Sequence, residues 1–156
     1  MPIDPAIRDA GDLHTLQHIQ RVQKLLHDLV VQLLKRAEVH DKSKLEDPEA
    51  DAFAEETPKL ASLTYGTEEY QESLDRLQVA LAHHYAHNRH HPEHFRNGID
   101  DMNILDIVEM FCDWKASSER QHDGNLRKSI ENAGSKFNMS PQLIRILENS
   151  IDLFGS

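Results

Sequence analysis

The stretch "DLHTLQHIQRVQKLLHDLVVQLLKRA", residues 12–37, decides the fold class. Its apolar residues Leu13, Leu16, Val22, Leu25, Leu26, Leu29, Val30, Leu33, Leu34 and Ala37 recur at three and four, the period of one helical face. One long helix over about 12–38 is expected, with Asp12 as its N-cap. Downstream, "VHDKSKLEDPEAD" is polar and turn-prone, and a short helical piece near 48–56 should stop at Pro58. Thr67, after Gly66 and before Glu68 and Glu69, reads as a helix start with acids in the first turn, and Tyr70, Leu74, Leu77 and Leu81 continue that helix to about residue 87. Pro92 marks a loop of about ten residues. Helical periodicity then resumes over about 101–118, capped by Asp100 or Asp101. "HDGN" breaks the chain, "NLRKSIENAGSKF" is a shorter helix, and Ser140 with Pro141 opens a last one.

No strand pattern, internal repeat or low-complexity linker is visible. The expectation is a compact all-α bundle of five to seven helices forming a single domain over 1–156. Its motif-bearing core would be 12–118, with C-terminal helices in 119–156.

Composition narrows the function classes. With 38% hydrophobic and 28% charged residues the chain reads as globular, and no apolar run approaches the roughly 20 residues that span a bilayer. The N-terminus shows no basic region followed by an apolar stretch, so a cytoplasmic location is expected. The single cysteine, Cys112, excludes an internal disulfide and a thiolate zinc cage, so any metal must be held by imidazole and carboxylate. A net charge of −10 argues against long nucleic acid, whose affinity rests on Lys and Arg. A small phosphorylated ligand in a local pocket is compatible with it.

Six of the eleven histidines fall in "LAHHYAHNRHHPEHF", residues 81–95. The cluster is central and interrupted, which rules out a tag and leaves a metal site or a solvated polar loop. On the first helix His18 is in phase with Val22, Leu25, Leu29 and Leu33, although a lone histidine on an apolar face is more often a hydrogen-bonded core residue than a ligand. His84 is in phase with Leu74, Leu77 and Leu81, while His83 sits on a flank, rotated by about 100°. His40 and Asp41 stand side by side where the first helix has run out. Asp106, Glu109 and Asp113 form a carboxylate stripe that would ordinarily face solvent. Asp113, between Phe111, Cys112 and Trp114, has the most apolar surroundings of the three, and a buried carboxylate needs a partner. Together these supply the nitrogen and oxygen ligands that suit manganese, iron, cobalt, nickel or zinc, with magnesium admissible.

The order His18, then His40 and Asp41, then His84, then Asp113 resembles the HD-domain superfamily of all-α metal-dependent phosphohydrolases. "HIQRV" is similar to that family's first ligand helix, "HDKSK" to its central motif, "HHYAHNRHHPEHF" to the His-His pair opening the loop of its cyclic-dinucleotide branch, and "VEMFCDWKA" to that branch's final Asp segment. The whole chain also looks like a small bacterial and phage family of unknown function grouped with this fold. The branch's Gly-Tyr-Pro signature is absent, Lys44 stands where some HD nucleotidases carry Glu, and no histidine occurs between residues 42 and 82. The resemblance implies a divalent metal on His18, His40, Asp41, His84 and Asp113, and hydrolysis of a small phosphorylated substrate such as a nucleotide. In that reading Lys44 and Arg89 clamp phosphate, Arg21 is a further phosphate contact, and Asp41 accepts the water's proton while ligating. His83, His91 and His94 would face the substrate from the flank and the loop. A metal- or nucleotide-binding module without turnover, and a plain helical domain with a wet histidine loop, are the rival readings. A homodimer is compatible with the sequence.

Overall fold

Why the long apolar stripe forms one helix is simple: nothing between residues 5 and 39 breaks it, and proline sits only at its first position. The computed structural model describes residues 5–64, 66–120 and 124–154. Among them the chain is all-α, with seven α-helices and no strand. These are α1 (Pro5–Val39), α2 (Ala50–Ser62), α3 (Glu68–Arg76), α4 (Gln78–His87), α5 (Ile104–Arg120), α6 (Leu126–Lys136) and α7 (Pro141–Asn149). Short 3₁₀ turns cover Lys42–Leu45, Pro92–His94, Gly98–Asp101 and Ile151–Phe154. No described helix is long and apolar enough to cross a membrane.

The chain divides into two units, Met1–Glu38 and Val39–Ser156. The described residues of the first form one helix, and His18 and Arg21 lie exposed on it.

In the second unit two apolar clusters form. Phe111 of α5 packs with Leu126, Ile130 and Ala133 of α6, with Met139 and with Leu147 of α7. Gly134 of α6 faces Ile144 of α7, where a Cβ would meet Ile144 Cδ1, the tip of that side chain, at 2.8 Å. Phe53 of α2 packs with Leu77 and Ala80.

Several boundaries differ from the sequence reading for local reasons. Pro58 lies inside α2, which continues to Ser62. The helix expected over 67–87 is broken at Leu77, whose backbone (φ −82, ψ −2) shares its N–H between Ser73 O and Leu74 O, and whose side chain is buried in the second cluster. Neither Asp100 nor Asp101 caps α5. Asn103 does, accepting from Leu105 N and Asp106 N while Asp106 Oδ2 accepts from Asn103 N, the reciprocal arrangement of a capping box. Thr67, Asn125 and Ser140 cap α3, α6 and α7 through their side-chain oxygens.

Candidate metal centre

The centre is built from three places in the Val39–Ser156 unit. His40 and Asp41 follow the end of α1, and Asp41 adopts the left-handed region (φ 56, ψ 11), which aspartate tolerates better than most residues. Consecutive residues in a helix would point about 100° apart. Here the left-handed turn lets both side chains reach one space, with His40 Nε2 3.6 Å from Asp41 Oδ2. α4 and the loop after it deliver His84, His90 and His91. One turn apart on α5, Glu109 and Asp113 share a face.

Three overlapping groups of ligand atoms lie within 4.8 Å: Asp41 with His84, His90 and His91; His40 with His90 and Glu109; and His40 with Asp41 and Asp113. In the first, Asp41 Oδ1 is 3.2 Å from His84 Nε2 and 3.4 Å from His90 Nε2, and His84 Nε2 is 3.0 Å from His91 Nε2. A tetrahedral ion with bonds of about 2.0 to 2.1 Å has ligand edges of about 3.3 Å. Asp41 Oδ1 and His90 Nε2 are buried without a hydrogen-bond partner, an expensive condition that a shared cation would relieve. The donor set and these two unpartnered atoms therefore fit a divalent ion of borderline hardness.

Electrostatics agree. Burial pushes Asp41 up, but the adjoining His84 and His90 rings and the Lys44 ammonium outweigh it and hold the carboxyl far below the usual range. Lys44 Nζ lies 2.6 Å from Asp41 Oδ2. For His40, the Asp113 carboxylate and the Glu109 hydrogen bond at 2.9 Å raise the ring to about 10. His90 is lowered by burial, yet Asp41 and Glu109 prevail and raise it. Burial, with the charges at His90 and His84, lowers His91 to about 3, which keeps that ring neutral and able to ligate.

The sequence-expected residues are distributed as follows. His40, Asp41, His84 and Asp113 are in these groups, and His84 is fully buried. His91, expected at the substrate, joins the ligand set and also borders a cavity of about 490 Å³ with Tyr85, Trp114, Lys128 and Asn132. His83 is part-exposed, bonded to Glu49 and stacked on His87 at 4.0 Å. His94 donates from Nδ1 to Tyr85 O. Arg89, expected on phosphate, makes a two-point pair with Asp106 (Nε–Oδ1 3.2 Å, Nη2–Oδ2 3.1 Å) and lies over the Phe95 ring. The carboxylate stripe divides otherwise than its neighbours implied: Asp106 is the fully buried member, Asp113 only partly so. His18 and Arg21 belong to the first unit, and the three groups draw on Val39–Ser156 alone.

Three residues of the site are not among the expected ligands: Glu109, His90 and Glu49. Glu109 carried a usable signal, since it precedes Asp113 by one turn. His90 carried none, because loop geometry has no period. Glu49 sat among many acids, although it is fully buried.

No curated protein and no solved structure matches the chain. A family model does match, over residues 9–153, and its description is "Family of unknown function (DUF5662)". The chain therefore belongs to the family of unknown function DUF5662.

Proposed function

We propose that the Val39–Ser156 unit is a divalent-metal-dependent phosphohydrolase acting on a small phosphorylated substrate, a nucleotide in the first instance, as the likeness to the HD-domain superfamily implies. The observation that carries the reading is the pair of buried atoms without hydrogen-bond partners, Asp41 Oδ1 and His90 Nε2, 3.4 Å apart within imidazole and carboxylate ligands. His84, His90, His91 and Asp41 would hold the ion, and His40, Glu109 and Asp113 extend the ligand set. Manganese, iron, cobalt, nickel or zinc suits these donors, and magnesium is admissible. When bound, such an ion lowers the pKa of a coordinated water and draws off charge gathering on phosphoryl oxygens. The protein's own residues supply the rest. Lys44 would bind a phosphate oxygen beside Asp41, and Asp41 would accept the water's proton. The cavity beside His91 is of a volume usual for small-molecule sites, with room for the remainder of the substrate.

One observation favours the second reading, a metal-binding module without turnover: both expected phosphate clamps are engaged by carboxylates, Arg89 by Asp106 and Lys44 by Asp41. The test is metal stoichiometry together with phosphate release from a nucleotide panel with Mn²⁺, on wild type and Asp41→Asn. Release in wild type, lost with the metal in the variant, supports hydrolysis. Metal without release selects the binding module, and protein that takes up no metal refutes both.

A further inference from the structure

Behind His84 lies a buried hydrogen-bond network whose donors around Nδ1 can be accounted for one by one. Glu49, the residue before α2, is fully buried, and its Oε1 accepts from His83 Nδ1 at 2.7 Å while its Oε2 accepts from His84 Nδ1 at 2.9 Å. An ionised carboxylate only accepts, so neutral rings facing it must carry their proton on Nδ1. Two other groups near His84 Nδ1 could donate to it and force the opposite tautomer: Ser43 Oγ at 3.2 Å and Asn88 Nδ2 at 3.0 Å. Both are otherwise engaged. Asn88 Nδ2 has two hydrogens, and they go to Ser43 Oγ (2.8 Å) and the His84 carbonyl (2.9 Å). Ser43 has one, and it goes to Glu49 Oε2 (3.0 Å). Each donor on the Nδ1 side then has one acceptor, and His84 keeps hydrogen on Nδ1 and a lone pair on Nε2, which in metal-free protein accepts from His91 Nε2 at 3.0 Å and lies 3.2 Å from Asp41 Oδ1.

We propose that Glu49, supported by Ser43 and Asn88, is the positioning residue that sets the His84 tautomer and ring orientation for ligation of a divalent transition ion. The proposal rests on the metal-centre reading above. A ligand histidine whose second nitrogen is held by a carboxylate is fixed in orientation and made more basic, and loss of such a partner costs about 10- to 100-fold in metal affinity.

The tautomer can be read without any ion, from ¹⁵N chemical shifts of imidazole-labelled, metal-free protein at a pH where these rings are neutral. Wild type should show Nδ1–H at both His83 and His84. In Glu49→Gln the amide brings N–H donors to one end of the side chain, so one of the two rings should move its proton to Nε2. Zinc affinity, measured by competition with a chelating dye, should fall about 10- to 100-fold. Glu49→Asp keeps a carboxylate and should retain Nδ1–H at His84 and more of the affinity, which also covers the case of a poorly folding Gln variant. Nε2–H at His84 in wild type, or equal affinity loss in the Asp and Gln variants, would overturn the proposal. Wild type with the stated tautomers but no zinc uptake would instead overturn the metal centre, and with it the purpose given to Glu49.

Discussion

Replacing Arg89 with alanine should destabilise the protein rather than only weaken its grip on a phosphate. Asp106 is fully buried and takes two hydrogen bonds from the guanidinium, at 3.2 and 3.1 Å, beside one from Asn103 N at 2.9 Å. Breaking a buried ion pair by deleting one partner costs about 3 to 5 kcal/mol, because the remaining buried charge loses its counter-charge. Arg89 is 48% exposed, so water already screens its outer face, and the figure must be reduced to about 2 kcal/mol. The guanidinium also lies 4.8 Å from the Phe95 ring centroid, worth about 0.5 kcal/mol more at a half-exposed site. For a chain of this size the sum lowers the melting temperature by about 5 to 10 °C. Thermal melts of Arg89→Ala, Asp106→Asn and the double variant would measure it, and the two changes should couple by at least about 1 kcal/mol. A melting temperature within about 2 °C of wild type, with KM raised for a phosphorylated substrate instead, would show that Arg89 is a phosphate clamp after all.

Other consequences can be checked on the same protein. Zinc or manganese at about 100 times its dissociation constant should add about 2.7 kcal/mol to stability. That gain, read as a rise in melting temperature, should vanish in Asp41→Asn. Glu56 is held by Arg76, Lys59 and Ser73, which lower its carboxyl from 4.5 to about 2. A depressed carboxyl stabilises the folded state above its unfolded value and loses that contribution as pH falls through the folded one. The stability gap between wild type and Glu56→Gln should therefore be full at pH 6 and shrink towards pH 2, as denaturant titrations would show. Asn103→Ala removes the side-chain cap of α5 and should cost about 1 kcal/mol in the same titrations.

Helix content was legible because it is written in periodicity, which acts within a few residues. His84 illustrates this: its spacing from Leu77 and Leu81 assigns it to the buried face, where it lies. The break at Leu77 was not legible, since Leu77 fits the helical stripe on either side and is buried with Phe53 as an unbroken helix would also bury it. The His-Asp pair was visible as neighbours, whereas its convergence depends on one left-handed residue, Asp41, that no local pattern announces. Charged residues were read worst. Asp106 sits in an acidic stripe that looks solvated, and its burial is explained by Arg89, 17 residues away in sequence, together with the cap at Asn103. Glu49 is buried by partners up to 35 residues distant, His83 and His84. Long-range pairing decides the fate of a buried charge, and composition alone does not reveal the partner.

The centre's charge balance leads to a last expectation. Asp41 and Asp113 are both held below the usual carboxylate range, and they share one small space with Glu109. In metal-free protein a compensating positive charge is the proton on His40, raised from 6.5 to about 10. A ring with a raised folded value stabilises the protein fully below about pH 6.5 and loses that contribution as pH rises through about 10. An ion bound by His40 must displace its proton, because only the deprotonated nitrogen ligates. Metal binding at pH 7 to 8 should therefore release at least about one proton per ion taken up at His40, and affinity should weaken as pH falls. Calorimetric titration with zinc in two buffers of different ionisation enthalpy counts those protons directly. His40→Gln should lower the count while leaving the Asp41, His84, His90 and His91 group able to bind. Uptake of zinc with an unchanged proton count in that variant would place the ion away from His40, and uptake with no proton released in wild type would contradict the protonated, metal-free state argued here.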